Sequence, residues 1–402
     1  MKISKTLGSL YAEGAFVWGD YAIAQEKKTG QPVLRLQIGQ PDFLPHPLLR
    51  QAIADAYQEG KTAYGPPLGL EVLRKAVAIE LQPYYKKAKI SKDNVAITSG
   101  GGKAAIGVVC RAILDKGDKV LVPCYDYPGH FSGLSDAGAN WLPYNLLPEK
   151  GYDIDVDDLE KKIKKTKVKV IIILSPSNPT GGVASYQALE RVAYLAKKYD
   201  LTVITDEIYR GHVFDGQFIS ILDFAGMDKR TVIIDGPGKR NCVPGIRIGY
   251  IIGPADFIDG PVRKLNNVRF SCSQTPEQLG LAKVINHPQV LKYIDKMRKE
   301  FKKRRDFVVE ALNSNKKIHC PKPGGAFYVF PDISKTGMTG EEFAKKLLKE
   351  KNVCVLPGGS FGGKIIDPKI RQPYGIYCIR ISIASSLEVL KEAVRRINKF
   401  TK

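Results

Sequence analysis

The chain has 402 residues, 44% hydrophobic and 26% charged, which excludes a disordered chain and leaves enough length to bury a core without disulfides. No apolar run is long enough to span a bilayer and the N-terminus leads into no apolar signal core, so a soluble, cytoplasmic protein is expected. The net charge of +21 is spread thinly: the blocks 161–167 and 302–305 are short and carry no interleaved aromatics, as solvated surface does, so no nucleic-acid site is expected.

In chain order, residues 1 to about 45 show little regular pattern. Strand-like runs follow at 95–98, 119–123, 168–175, 201–206, 231–235 and 247–252, several of them continuously apolar and β-branched. Between them lie helical stretches such as 102–116 and 185–199, and the segment 155–160 reads as a capped helix start. From about 276 a long helical stretch rich in Lys and Arg leads to short strands at 326–330 and 376–383. Alternation of this kind predicts an α/β fold, doubly wound about a mostly parallel sheet, over residues 46–285. Both termini, 1–45 and 286–402, are expected to form a smaller α+β domain. The 7 cysteines and 5 histidines are scattered singly, without Cys-x-x-Cys or His-Glu-x-x-His spacing, so neither a disulfide framework nor a metal site is expected.

In a doubly wound sheet, ligands bind beyond the carboxyl ends of the strands. The strand at 95–98 is followed by Ser99-Gly100-Gly101-Gly102-Lys103, whose glycines leave backbone N–H groups free to approach an anion at a helix N-terminus. Later strand ends carry Tyr125, Asn178, the pair Asp206 and Tyr209, and Lys239 after a Gly-rich turn, with Arg247 eight positions on. A carboxylate ending an apolar strand is costly to bury unless paired or functional. An anion cradle, an aromatic plate, an Asn, an Asp, a Tyr, a Lys and an Arg together suit pyridoxal 5'-phosphate. That cofactor needs a lysine for a Schiff base and an acid beside its ring nitrogen.

The sequence also carries an ordered series of motifs: Ile38-Gly39-Gln40-Pro41-Asp42-Phe43, Tyr64-Gly65-Pro66-Pro67-Leu68-Gly69, Ser177-Asn178-Pro179-Thr180-Gly181, Asp206-Glu207-Ile208-Tyr209 and Pro244-Gly245-Ile246-Arg247-Ile248-Gly249-Tyr250. They continue with Pro323-Gly324-Gly325-Ala326-Phe327-Tyr328, Leu356-Pro357-Gly358 and Ile379-Arg380-Ile381-Ser382. With these motifs the chain resembles a fold-type I, class I/II aminotransferase, most similar to the aspartate aminotransferase branch of bacteria and archaea. The resemblance implies that Lys239 forms the Schiff base and shuttles the proton, and that Asp206 pairs with the ring nitrogen. Asn178 and Tyr209 would bond the phenolic oxygen, and Tyr125 would stack on the ring. Gly101, Gly102, Lys103 and Arg247 would hold the phosphate. Arg380, with Gly39 and Asn178, would bind the substrate carboxylate. Tyr64 would reach the cofactor of a second subunit, which implies a homodimer with shared sites.

Three features depart from the family pattern or stay open. The stretch before Lys239 is Gly236-Pro237-Gly238, where hydroxyl residues are usual, and Ile246 stands where a Trp is usual. The arginine that would read a dicarboxylate side chain is open among Arg35, Arg240, Arg269 and Arg371, so aspartate and broad or aromatic specificity are both expected. The expected activity is transfer of an amino group from an L-amino acid to a 2-oxo acid by a ping-pong path. The alternative is a lyase, decarboxylase or oxidase that uses the same Schiff base. A nucleic-acid-binding regulator is a third reading, and such a regulator would need an added module that the motif series leaves no room for.

Overall fold

The computed structural model describes all residues except 2, 5, 6, 9, 12, 13 and 364. Seven strands form the central sheet: β1 (Val95–Ser99), β2 (Lys119–Pro123), β3 (Asn140–Tyr144), β4 (Val170–Leu174), β5 (Thr202–Asp206), β6 (Thr231–Asp235) and β7 (Ile248–Ile252). Their order is β1-β7-β6-β5-β4-β2-β3. All neighbours are parallel except β7, which runs antiparallel to both β1 and β6.

The apolar runs explain this sheet. All five residues of β4 are buried, and alternate side chains serve opposite faces. Val170 and Ile172 join a core with Val120, Val122 and Ile204, whereas Ile171 and Ile173 join another with Leu121 and Val203. Helix Gly101–Ile113 closes the first face through Ala105, Ile106 and Val109. Helix Tyr186–Lys198 closes the second through Leu189 and Val192. The predicted capped start is the helix Val156–Lys165, with the Asp155 carboxylate accepting from the Asp158 N–H at 3.0 Å.

The six predicted strands are present. The seventh, β3, escaped the sequence reading because its run Asn140-Trp141-Leu142-Pro143-Tyr144 contains a proline, which cannot donate to a ladder. As the edge strand it pairs with β2 alone, so the missing N–H costs no bond. The long helical stretch divides into Thr275–Val284 and Pro288–Asn313, with His287 Nδ1 capping the second by accepting from Gln289.

Outside the central sheet, Leu34–Arg35 pairs in parallel with Val353–Cys354, joining the N-terminal segment to the C-terminal part. Ile379–Ser382 is the middle strand of a three-stranded sheet, flanked by Tyr328–Val329 and Leu356–Pro357. The Ser382 N–H donates to Leu36 O at 2.9 Å, which draws the 36–42 segment alongside Arg380. Among the described residues no helix is long and apolar enough to cross a membrane, and no cluster of metal-ligating side chains occurs.

Candidate active site

A cavity of about 270 Å³ opens at the carboxyl ends of the parallel strands. Its wall includes Gly39, Gly101, Gly102, Lys103, Asn178, Asp206, Tyr209, Lys239, Arg247 and Arg380. Ten of the predicted site residues, from segments up to 341 positions apart, therefore meet in one place.

Lys239 sits in the short helix Pro237–Arg240 after β6. Its ammonium donates to the Gly39 carbonyl at 2.6 Å and lies 5.9 Å from the Phe327 ring centre. Asp206 ends β5 and is 4% exposed; its Oδ1 accepts from the Ile208 N–H at 3.0 Å. Behind it stands a pair the sequence reading missed. His130 Nε2 is 3.5 Å from Asp206 Oδ2, and His130 Nδ1 is 2.7 Å from Asp126 Oδ1. Burial works against charge on His130, yet Asp126 and Asp206 outweigh it and hold its pKa up at about 10. Asp126 and His130 are one helical turn apart at the start of helix Pro128–Ala137, a spacing visible in the sequence.

The glycine-rich turn forms the anion end. Gly100 and Gly101 have φ of 94° and 75°, in the left-handed region that favours glycine. Both donate their N–H groups to the Arg247 carbonyl, at 2.8 and 3.0 Å. The Arg247 guanidinium returns the contact to the Gly100 carbonyl and donates to Pro244 O at 2.9 Å. A Cβ on Gly101 would lie 3.2 Å from that guanidinium, so the glycine keeps the space beside it open. Arg247 itself holds a left-handed φ of 56°, a conformation that persists where the surroundings over-determine it.

At the other end, Arg380 is 3% exposed and donates to Asn178 Oδ1 at 2.9 Å and to the Gln37 carbonyl. Its guanidinium stacks 4.4 Å from the Tyr328 ring centre and 5.0 Å from that of Phe361. The Tyr209 and Tyr328 hydroxyls are 2.8 Å apart. Burial, reinforced by Tyr328, pushes the Tyr209 phenol well above its ordinary range. Tyr328 is a further residue the sequence reading left without a role.

Two predicted residues lie elsewhere. Tyr125 turns away from the cavity into an aromatic cluster, with ring centres 5.2 Å from Phe330, 6.0 Å from Tyr374 and 6.2 Å from Tyr152. Tyr127 lines the cavity instead, two residues on. Its ring lies across Gly129, where a Cβ would come within 2.2 Å. Tyr64 is outside the cavity and 93% exposed. None of the four arginines considered for side-chain recognition lines the cavity. Arg35 pairs with Glu26, Arg240 with Glu80 and Arg269 with Asp136, while Arg371 lies on the exposed hairpin of Ile366–Asp367 and Gln372–Pro373.

Residues 31–397 match the family model described as aminotransferase class I and II. The chain is 33% identical over 368 residues to an aspartate aminotransferase of Pyrococcus abyssi, covering 91% of each chain. It is 36% identical over 383 residues to a (5-formylfuran-3-yl)methyl phosphate transaminase of Methanocaldococcus jannaschii, covering 94% of each. The solved alanine aminotransferase of Pyrococcus furiosus superposes with a TM-score of 0.90 at 30% identity, covering 100% of this chain and 99% of that one. The family model spans most of the chain and the matched relatives are at least 30% identical over nearly its full length, so the chain belongs to the class I and II aminotransferases, with the fold-type I architecture, and is a transaminase.

Proposed function

We propose that this transaminase uses pyridoxal 5'-phosphate and moves the amino group of an L-amino acid to a 2-oxo acid in a ping-pong sequence, with Lys239 as the cofactor lysine. The observation that carries the reading is the shared cavity of Lys239, Asp206, Arg247 and Arg380. The residues fit the group. An amine stands mid-cavity, a carboxylate backed by His130 stands at a buried strand end, and the Gly101 turn leaves beside Arg247 a space that a Cβ would fill. When bound, the cofactor supplies an electron-withdrawing ring that makes the substrate's α-proton removable.

The chain's own residues divide the remaining work. Arg247 and the N–H groups of Gly102 and Lys103 at the start of helix Gly101–Ile113 hold the phosphate, the Gly101 N–H being taken by the Arg247 carbonyl. Asp206 pairs with the ring nitrogen and keeps it protonated, with His130 standing 3.5 Å behind its other oxygen. Asn178, whose Oδ1 is taken by Arg380, offers its amide N–H groups, and Tyr209 its hydroxyl, to the phenolic oxygen. Tyr127 supplies the flat face that the sequence reading gave to Tyr125. Arg380 forks onto the substrate carboxylate. Lys239 Nζ, leaving the Gly39 carbonyl, takes the proton from the α-carbon and returns it to complete the transfer.

The cavity lining includes Phe16, Ile38 and Tyr328, the last stacked on Arg380, which supports broad or aromatic donors over aspartate. The reading includes a homodimer, in which the exposed Tyr64 reaches the neighbouring site, a cytoplasmic location, and the division into 46–285 and both termini. Lys239→Ala tests its centre. The variant is expected to fold and to transfer no amino group from any L-amino acid. Turnover at the wild-type rate would place the chemistry elsewhere.

A further inference from the structure

Glu80 lies in the last turn of helix Glu71–Leu81, with 4% of its side chain exposed. A carboxylate so buried is costly unless it is paired. Its Oε1 is 2.6 Å from Arg210 and 2.5 Å from Arg240, and both guanidinium groups are as deeply buried as the acid. Arg210 also pairs with Asp235. Two arginines thus face two carboxylates, and the group is electrically balanced.

The positions of these residues along the chain give the group its importance. Arg210 follows Tyr209 and stands four residues after Asp206, while Arg240 follows Lys239. Asp235 ends β6, and its Oδ1 accepts from the Gly236 N–H at 2.6 Å where the chain turns toward Lys239. The Arg240 stem crosses the backbone of Gly211, where a Cβ would stand 2.8 Å from its Cδ. A second tie runs from the same helix end: Tyr85 donates to the Glu207 carboxylate at 2.7 Å, and Ser220 donates to it at 2.6 Å. None of Glu80, Arg210 and Arg240 lines the cavity, so any influence on the chemistry passes through the turns they hold.

We infer that Glu80 is a positioning residue: by gripping Arg210 and Arg240 at once, it fixes the turn that carries Asp206 and Tyr209 against the turn that carries Lys239. The inference rests on Lys239 being the cofactor lysine. It also makes a signed electrostatic prediction. Glu80→Gln leaves one uncompensated buried cation beside the Lys239 turn, which disfavours a protonated nitrogen there. Arg240→Gln leaves one uncompensated anion, which favours it. The charged groups that share the cavity with Lys239, namely Lys103, Asp206, Arg247 and Arg380, and the neighbouring neutral His212, are the same in every variant.

The test is a pH titration of the yellow absorbance of the cofactor-loaded protein, alongside kcat and KM. Glu80→Gln is expected to lower the midpoint by about one pH unit and Arg240→Gln to raise it by about as much, and the double variant to return toward wild type. In Glu80→Gln, kcat should fall roughly tenfold or more while KM stays within about threefold, as expected for a misplaced reacting group. Glu80→Asp keeps the charge on a shorter arm, so it should keep the midpoint and still lower kcat. Midpoints equal to wild type in both single variants overturn the inference, and so do shifts of the same sign. If Glu80→Gln does not fold, Arg240→Gln decides alone: an upward shift supports the inference and an unmoved midpoint overturns it. A wild-type protein with no titratable yellow band removes the reading of Lys239 and this inference with it, an outcome distinct from a titrating wild type with unresponsive variants.

Discussion

Replacing Arg380 tests the substrate end of the site. Its guanidinium is held by Asn178 Oδ1 at 2.9 Å, by the Gln37 carbonyl and by the faces of Tyr328 and Phe361, so its orientation is set before any ligand arrives. Removing one partner of a desolvated charge pair costs about 2–5 kcal/mol, so Arg380→Ala should lower kcat/KM for amino acids by roughly 30- to 5,000-fold. Arg380→Lys keeps the charge but not the fork, and losing one charged hydrogen bond predicts a fall of roughly ten- to a hundredfold. The assay is steady-state kinetics with an L-amino acid, repeated with the matching amine that lacks a carboxylate. The amine should show nearly the same, low kcat/KM in wild type and in Arg380→Ala. Cofactor affinity should also hold, because Arg380 stands apart from the Gly101 and Arg247 end. Both variants leave Asn178 and Gln37 oxygens without this donor, so melting temperatures must show that the protein is folded in the assay. An Arg380→Ala enzyme with wild-type kcat/KM, or an equal loss on the amine, would refute the carboxylate role.

Four further substitutions probe other contacts. In Gly39→Ala the new Cβ would stand 1.7 Å from the Tyr328 hydroxyl, so Tyr328 must swing and give up its 2.8 Å contact with Tyr209. Turnover should fall by about tenfold or more in steady-state assays, and unchanged kinetics would show the contact to be idle. Tyr127→Ala should raise the cofactor dissociation constant by roughly fivefold to tenfold, the worth of one ring contact, whereas Tyr125→Ala should leave it alone and cost about 3 kcal/mol of stability. The reverse pattern in a binding titration and a denaturant melt would restore Tyr125 as the ring stacker. His212, buried among Tyr209, Phe301 and Phe327, is kept neutral by burial and then by the cations Arg240, Lys239 and Arg210, its pKa pulled down to about 3. The unfolded chain takes up that proton near pH 6.5 and the fold does not, so His212 costs stability as pH falls from 6.5 toward 3. His212→Phe should therefore gain about 2 kcal/mol on wild type between pH 8 and pH 5 in denaturant melts, and a parallel pH dependence would contradict this.

The residues that could be read from the sequence are those at strand ends. Apolar β-branched runs marked six strands, and each of Asn178, Asp206 and Lys239 ends or follows one of them, so the cavity was foreseeable from the order of elements alone. Tyr125 and Tyr127 follow the same strand two residues apart, and spacing cannot choose between them. The local packing does: Pro128 opens a helix just after Tyr127, Gly129 clears room for its ring, and Phe330, Tyr374 and Tyr152 draw Tyr125 inward. The Asp126 and His130 pair had a visible one-turn spacing but no visible target, because Asp206 lies 76 positions beyond His130. The Glu80, Arg210 and Arg240 cluster carried no local signal at all. Its members come from three separate segments, and each reads in isolation as a surface charge in a chain that has many.

The central claim is that Lys239 works with a cofactor that shuttles an amino group between two substrates. It is tested most directly by following the visible absorbance of the loaded protein as an L-amino acid is added alone and a 2-oxo acid is added afterwards. Bleaching of the yellow band by the amino acid, with one equivalent of 2-oxo acid released per site, and return of the colour on adding the second oxo acid is the predicted result. A band that persists while product accumulates, or a protein that never colours, would contradict it.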